Sequence, residues 1–166
     1  MSKPSIKIKI AGKGDVARFW DLFSSSLKTQ FPEYSIKAQN ELLRRYWSKK
    51  TLRNRLKSKN LVIYIACIGK DPAGYLAFET PVGGISIAIW LAVKKEFQGK
   101  GIGSLLLKKY EAAVKKKGCH SIHLYADKRN LRFYKKLGYR VAGFVPQNYY
   151  GADDYFLYKI IQRPKY

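Results

Sequence analysis

An α/β (α+β) domain built around one mixed sheet is what this sequence predicts, on three observations. Strand-length apolar runs alternate with stretches whose apolar residues recur at helical spacing. One run, Ile85–Val93, is apolar almost throughout, as a central strand covered on both faces has to be. With 46% hydrophobic and 14% aromatic residues there is material for a real core, which excludes disorder and collagen-like repeats. The 166 residues suit a single domain over the whole chain, its core running from about Ser5 to Ile161. No repeat, linker or low-complexity tract divides it.

Each element follows from its pattern. Ile6, Ile8 and Ile10 alternate with Lys7 and Lys9, a strand with one buried face. Val16, Phe19, Trp20, Phe23 and Leu27 then form a helical stripe, with Asp15 as its N-cap and Phe31-Pro32 as its end. Ser35 opens a second helical stretch carrying Ala38, Leu42 and Tyr46, interrupted near Ser48 and resumed at Leu52 and Leu56. Leu61–Ile68 reads as a strand, Gly69-Lys70-Asp71-Pro72 as a turn and Ala73–Glu79 as the hairpin partner. A turn over Thr80–Gly84 leads into Ile85–Val93. A helix follows from about Gly101 to Lys117, apolar at Ile102, Leu105, Leu106, Tyr110, Ala113 and Val114, and Gly118 ends it in a left-handed conformation. Ser121–Ala126 is a strand and Asn130–Leu137 a short helix closed by Gly138. Tyr139–Val145 and Tyr155–Ile161 are the last two strands.

Lys+Arg 33 against Asp+Glu 11 leave a formal charge of +22, which draws polyanions and hastens their encounter without bearing on the fold. Arg44, Arg45, Lys49, Lys50, Arg53, Arg55, Lys57 and Lys59 lie together with no acid among them, and further groups run from Lys94 to Lys117 and from Lys128 to Arg140. RNA or the ribosome, an acidic protein or a phosphorylated cofactor would fit such clusters; solvated helix faces are the plain alternative. The longest apolar runs fall far short of a membrane span. The opening Met1-Ser2-Lys3-Pro4-Ser5, followed by Ile/Lys alternation, lacks the apolar stretch of a secretory leader. Cys67 and Cys119 make no disulfide framework, and Cys119, His120 and His123 are too few ligands for a metal. A cytoplasmic protein with no membrane partner and no metal is expected, its oligomeric state open.

Between the central strand and the amphipathic helix lies Gln98-Gly99-Lys100-Gly101-Ile102-Gly103-Ser104. Its glycines let the backbone approach a ligand, and the helix start offers unpaired N–H groups and the positive end of a dipole, a cradle for phosphate or pyrophosphate. The turn is not a P-loop, since no Gly-Lys-Ser/Thr follows four spacer residues. Nor is it a dinucleotide fingerprint, since Leu106 stands where a further glycine is needed.

What remains, Gln-x-x-Gly-x-Gly behind a strand ending Leu91-Ala92-Val93, resembles the acetyl-CoA-binding motif of the GCN5-related N-acetyltransferases (GNAT). Phe133-Tyr134-Lys135-Lys136-Leu137-Gly138-Tyr139 is similar to that family's Phe-Tyr-x-x-x-Gly-Phe/Tyr segment, and with the order of elements the likeness covers nearly the whole chain. It implies the GNAT fold, a mixed and mostly antiparallel sheet of about seven strands flanked by helices, and an acyltransferase that uses acetyl-CoA. By the same likeness, backbone N–H groups of Gln98, Gly99, Lys100, Gly101, Ile102, Gly103 and Ser104 would hold the pyrophosphate. Leu91, Ala92 and Val93 would pair with the pantetheine arm like an added strand, and Lys100 and Lys128 would favour the phosphates. Tyr134 would stand near the thioester sulfur and protonate the leaving thiolate, which a phenol held close can do. Many members carry an Asn seven residues before this tyrosine to contact the cofactor arm. Asp127 stands there instead, and Asn130 of the same turn is taken as the contact.

An acceptor amine is protonated at neutral pH and must lose a proton. Histone-type members place a glutamate base on the central strand, but by offset from Gln98 that place is held by Ile87. His123 sits at about the strand position where some members acting on protein N-termini hold a histidine or glutamate, and its ordinary pKa suits a base. Glu79 is the second candidate; a partly exposed strand histidine and a surface acid are the plain alternatives. Asn148-Tyr149-Tyr150-Gly151-Ala152-Asp153-Asp154-Tyr155 is similar to the hairpin loop of acetyltransferases for nascent-chain or ribosomal-protein N-termini. This implies Tyr149 and Tyr150 as substrate-binding, with Phe31–Trp47 as the other groove wall. The expected activity is direct acetyl transfer to a primary amine of a protein or peptide, with a small-molecule amine as the close alternative. A basic RNA- or ribosome-binding module on the same scaffold is the competing class. A site mouth as positive as the chain would turn away polyamines and favour acidic peptides.

Overall fold

The computed structural model describes residues 5–165. Residues 1–4, on which the expectation about a secretory leader bears, and residue 166 lie outside the described residues. Seven strands, β1 Ile6–Ile10, β2 Leu61–Ile68, β3 Asp71–Glu79, β4 Ile85–Val93, β5 Ser121–Ala126, β6 Arg140–Val145 and β7 Asp154–Ile160, form one sheet in the order β1-β2-β3-β4-β5-β7-β6. All neighbours are antiparallel except β4 and β5, the pair joined through a helix, as a parallel return requires.

Three helices, α1 Val16–Gln30, α2 Ile36–Glu41 and α3 Lys49–Lys57, cover one face; α4 Ile102–Lys116 and α5 Leu131–Lys136 cover the other. Period-two alternation sorts the strand residues between them. Ile63 and Ile65 join Phe19, Phe23 and Leu52 in one core. Tyr64 and Ala66 join Leu106, Tyr110 and Val114 in the second.

The interruption expected near Ser48 is real. Ser35 and Ser48 cap α2 and α3 by accepting from the N–H groups of Ala38 and Thr51, at 3.2 and 3.1 Å, and a π-helical turn over Leu42–Tyr46 lies between. Asp15 is the N-cap residue of α1, as expected, but its side chain makes no capping bond to that helix: the carboxylate accepts from the Gly12 N–H and pairs with Lys9, closing the short 3-10 turn that leads into α1. Two boundaries also move: Asp71 and Pro72 belong to β3, and the turn tightens onto left-handed Gly69. Gly118 and Gly138 close α4 and α5 with φ of 87° and 88°, as expected.

Two features of β4 position the site. Ala77 pairs with Trp90 but Phe78 pairs with Ala88, so Ile89 is an extra residue, a bulge. Before it, Ser86 and Ala88 face α4, and the Tyr110 hydroxyl donates to Ser86 Oγ at 2.7 Å. After it, Trp90 and Ala92 face α1 instead. The second feature is a splay. β4 pairs with β5 only from Ile85 to Ala88, while β5 stays with β7 as far as Ala126. The strand expected to be covered on both faces is therefore covered only in part. Ile87 is 41% exposed, and Leu91 and Val93 are half-buried because clefts open beside them. On the other edge β3 holds close: a Cβ on Gly74 would stand 2.8 Å from the Ala92 carbonyl oxygen. Among the described residues no helix is long and apolar enough to cross a membrane.

Candidate active site

Two clefts open where β4 leaves β5. The first, about 660 Å³, is lined by Leu91, Ala92, Val93, Gln98, Gly99, Gly101, Ile102, Gly103, Ser104, Asn130 and Tyr134. Of the cofactor residues named from sequence, neither Lys100 nor Lys128 is among its walls; the Lys100 ammonium lies 5.1 Å from the centroid of the Phe97 ring. Gly99 and Gly101 have φ of 74° and 79°, and open space surrounds the place of a Cβ on each. The first α4 bond runs from the Leu105 N–H to the Gly101 carbonyl, at 3.0 Å. The N–H groups of Ile102, Gly103 and Ser104 thus have no partner within the helix. Gln98 Nε2 donates to the Val93 carbonyl at 3.0 Å and to Gln30 Oε1 at 3.3 Å, tying the turn to β4 and α1. Phe133 rests on the first turn of α4, where a Cβ on Gly103 would come within 3.2 Å of its Cζ. An open turn of unpaired N–H groups at the positive end of a fifteen-residue helix fits a pyrophosphate. Thr29, Gln30, Phe31 and Arg129 also line this cleft; nothing in their local sequence marked them as cofactor contacts.

The second cleft, about 650 Å³, shares Phe31, Leu91, Asn130 and Tyr134 with the first. Tyr134 therefore stands at the junction. It is 9% exposed, and burial, with the Asp127 charge behind it, pushes its pKa above that of an ordinary phenol. The hydroxyl stays protonated at neutral pH. Asp127, the departure from the family's Asn, is occupied structurally. Its Oδ1 accepts from the N–H groups of Arg129 at 2.7 Å and Asn130 at 3.2 Å, capping the turn into α5.

The two base candidates flank Ile87. The register that pairs Phe78 with Ala88 brings Glu79 beside Ile87 from β3, and His123 pairs with Ile87 from β5. Glu79 lines the second cleft and pairs with Arg55 at 3.2 Å. His123 does not line it; its ring meets Phe156 edge-on at 5.1 Å. Burial, aided by His120, lowers its pKa, so it is neutral at pH 7. The tyrosine pair also divides. Tyr149 lines the cleft, and burial beside the Tyr150 phenol pushes its pKa up to about 12. Tyr150, at φ 53°, packs against the α1 core and is not among the cleft's walls. Phe31, Tyr34, Tyr46 and Trp47 form the other wall, within the segment named from sequence.

The electrostatics overturn one expectation. The second cleft is lined by Glu33, Glu79, Asp127 and Asp154, with Arg55 as its one lining cation among the described residues. Four acids gather at this cleft, whereas Lys49, Lys50, Lys108, Lys109, Lys135 and Lys136 are exposed on α3, α4 and α5 and are not among its walls. A site mouth that repels cations is not what these residues build.

Comparison with known proteins agrees with the geometry. The model of the acetyltransferase (GNAT) family matches residues 19–139, from α1 to just past α5. An uncharacterized N-acetyltransferase of Methanocaldococcus jannaschii is 37% identical over 98 residues, 57% of this chain and 62% of that protein; the match spans about three fifths of that relative's length. Among solved structures, the PaiA N-acetyltransferase of Thermoplasma acidophilum in complex with coenzyme A is 25% identical, with a TM-score of 0.79 over 94% of this chain and 99% of that one. The ribosomal-protein-S18-alanine N-acetyltransferase of Escherichia coli is 17% identical, with a TM-score of 0.72 over 96% of each chain, a likeness of fold alone. On the family match, the seven-stranded sheet with its splay and the glycine turn, this chain belongs to the acetyltransferase (GNAT) family.

Proposed function

We propose that the protein is an acetyl-CoA-dependent N-acetyltransferase acting by direct transfer to a primary amine, most simply that of a protein or peptide. The observation that carries this reading is the meeting of two clefts at Tyr134, one ending on an open glycine turn and the other walled by side chains. Coenzyme A bound to the Thermoplasma acidophilum protein supports the choice of cofactor. When bound, acetyl-CoA supplies an acyl thioester at that junction.

The protein's own groups would act as follows. N–H groups of Gln98, Gly99 and the stretch from Gly101 to Ser104 hold the pyrophosphate, and the edge of β4 left free by β5 pairs with the pantetheine arm through Leu91, Ala92 and Val93. A backbone N–H of that edge polarises the thioester carbonyl. Glu79, beside the place of the missing glutamate and within the cleft, takes the amine proton directly or through one water; His123, across Ile87, is the second choice. Tyr134 gives its proton to the departing sulfur. Tyr149 presents an aromatic wall to the acceptor.

Calorimetric titration with acetyl-CoA, CoA and desulfo-CoA at moderate and high salt tests the first half of this reading. Micromolar binding that survives high salt is expected of a shaped site; binding that vanishes with salt would reduce it to charge attraction and overturn the reading.

A further inference from the structure

We infer that the second cleft selects acceptors carrying a second positive charge, an ammonium or guanidinium, close to the amine that is acetylated. The inference rests on the transfer reading above and adds the acceptor's chemical class to it.

The first support is charge that the protein leaves unbalanced. Four carboxylates meet two guanidinium groups. Arg55 pairs with Glu79 at 3.2 Å, and Arg129 is shared by Glu33 at 2.8 Å and Asp127 at 2.5 Å. Asp154 has neither. It is 7% exposed, and its Oδ2 accepts only the Asn148 amide at 3.0 Å. Its other oxygen carries no hydrogen bond to the described residues. Burial raises the pKa of both Glu33 and Asp154, and each is raised further by the neighbouring Asp127 carboxylate. Carboxylates crowded in this way gain most from an incoming cation. Among the described residues they are not arranged as a metal site.

The second support is independent of the acids. Phe31, Tyr34, Trp47, Trp90 and Tyr149 line the same cleft. Trp90 has its ring centroid 5.1 Å from Phe31, 5.9 Å from Tyr34, 6.2 Å from Trp47 and 6.5 Å from Tyr149. These rings pack edge-to-face on one another, and a face left open at the cavity offers a cation its negative side. The protein already seats one of its own there: the Arg55 guanidinium carbon lies 5.1 Å from the Trp47 ring centroid. Trp90 Nε1 is buried with no hydrogen-bond partner, so this wall uses its indole as aromatic surface. Rings and carboxylates together are the chemistry of a cation site. They line the same cleft as Tyr134, the cleft in which the acceptor amine would react.

Calorimetry with 1,5-diaminopentane against pentylamine, on the protein without cofactor, tests this directly. The diamine is expected to bind about 10-fold or more tighter. Asp154→Asn and, as a second variant, Glu33→Gln are each expected to cut that ratio several-fold while acetyl-CoA affinity stays put, which also certifies that they fold. A peptide arm, with Lys or Ala next to the N-terminal residue, runs in parallel under acetyl-CoA. Preference for the Lys peptide or for the diamine upholds the inference and names the source of the charge. Equal binding of diamine and monoamine, with no Lys preference, overturns it and leaves the transfer reading standing. Failure of acetyl-CoA to bind overturns the transfer reading instead, and the cofactor-free titration still decides the cation.

Discussion

The two clefts that meet at Tyr134 are made of different material. The cleft proposed for the cofactor is largely backbone: left-handed glycines at 99 and 101, three N–H groups without helical partners, and a strand edge that β5 has left. The cleft proposed for the acceptor is side chains: aromatic rings and four carboxylates. Backbone suits a ligand whose contacts are phosphates and amides, common to every member of a family that shares it. Side chains suit whatever must differ from one enzyme to the next. The contrast teaches that substitutions on the two sides should fail in separable ways.

The sharpest test of the contrast is at the junction itself. Tyr134→Phe keeps the ring and its packing against Phe133 and Tyr139 but removes the proposed proton donor. A fall in kcat of about 100-fold, with acetyl-CoA affinity retained, is expected in a thiol-release assay. An unchanged kcat would strip the phenol of its role. Next, Gly101→Val forces a branched residue to φ 79°. Binding of acetyl-CoA should weaken about 10- to 30-fold with no effect on diamine binding. If both affinities fell together, the clefts would be one site and the comparison would break.

Glu79→Gln is expected to lower kcat about 10-fold near neutral pH. Activity should recover as pH rises towards the amine's own pKa, where no base is needed. A flat pH profile would move the role to His123. The smallest effect concerns stability. Folding raises the Asp154 pKa by burial, so the native state binds more protons than the unfolded state, and stability declines as pH climbs through the unfolded value of about 3.9. Asp154→Asn removes that penalty. A thermal midpoint higher by about 1–3 °C at pH 7 and unchanged near pH 3 is expected by scanning calorimetry, the mark of a group kept for use at the expense of stability.

The same division of materials explains what could be read in advance. The elements were legible because period-two and helical patterns are local, and so was the glycine turn before α4, since a left-handed glycine or a helix start is written within a few residues. Asp127 and Asp154 lie far apart in sequence and meet because β7 pairs with β5, Ala126 beside Tyr155, and Glu33 joins them from the α1–α2 connection through Arg129. The bulge at Ile89 was equally hidden, for an extra residue in an apolar run has no signature. Net charge misled outright: a sum over the chain carries no information about which side of a helix its lysines occupy. Tyr149 and Tyr150 look equivalent as neighbours, yet a left-handed φ at Tyr150 turns only one of them to the cleft wall.

The buried Asp154 has a kinetic consequence. Acetylation turns an ammonium into a neutral amide, so a product leaves the cleft with one unit of positive charge fewer than the acceptor that entered. On the proposed acceptor chemistry the carboxylates keep the second charge, while the pull of the acidic cleft on the ligand as a whole falls by one charge. Release is then eased by the reaction itself, in proportion to the charge that the transfer removes.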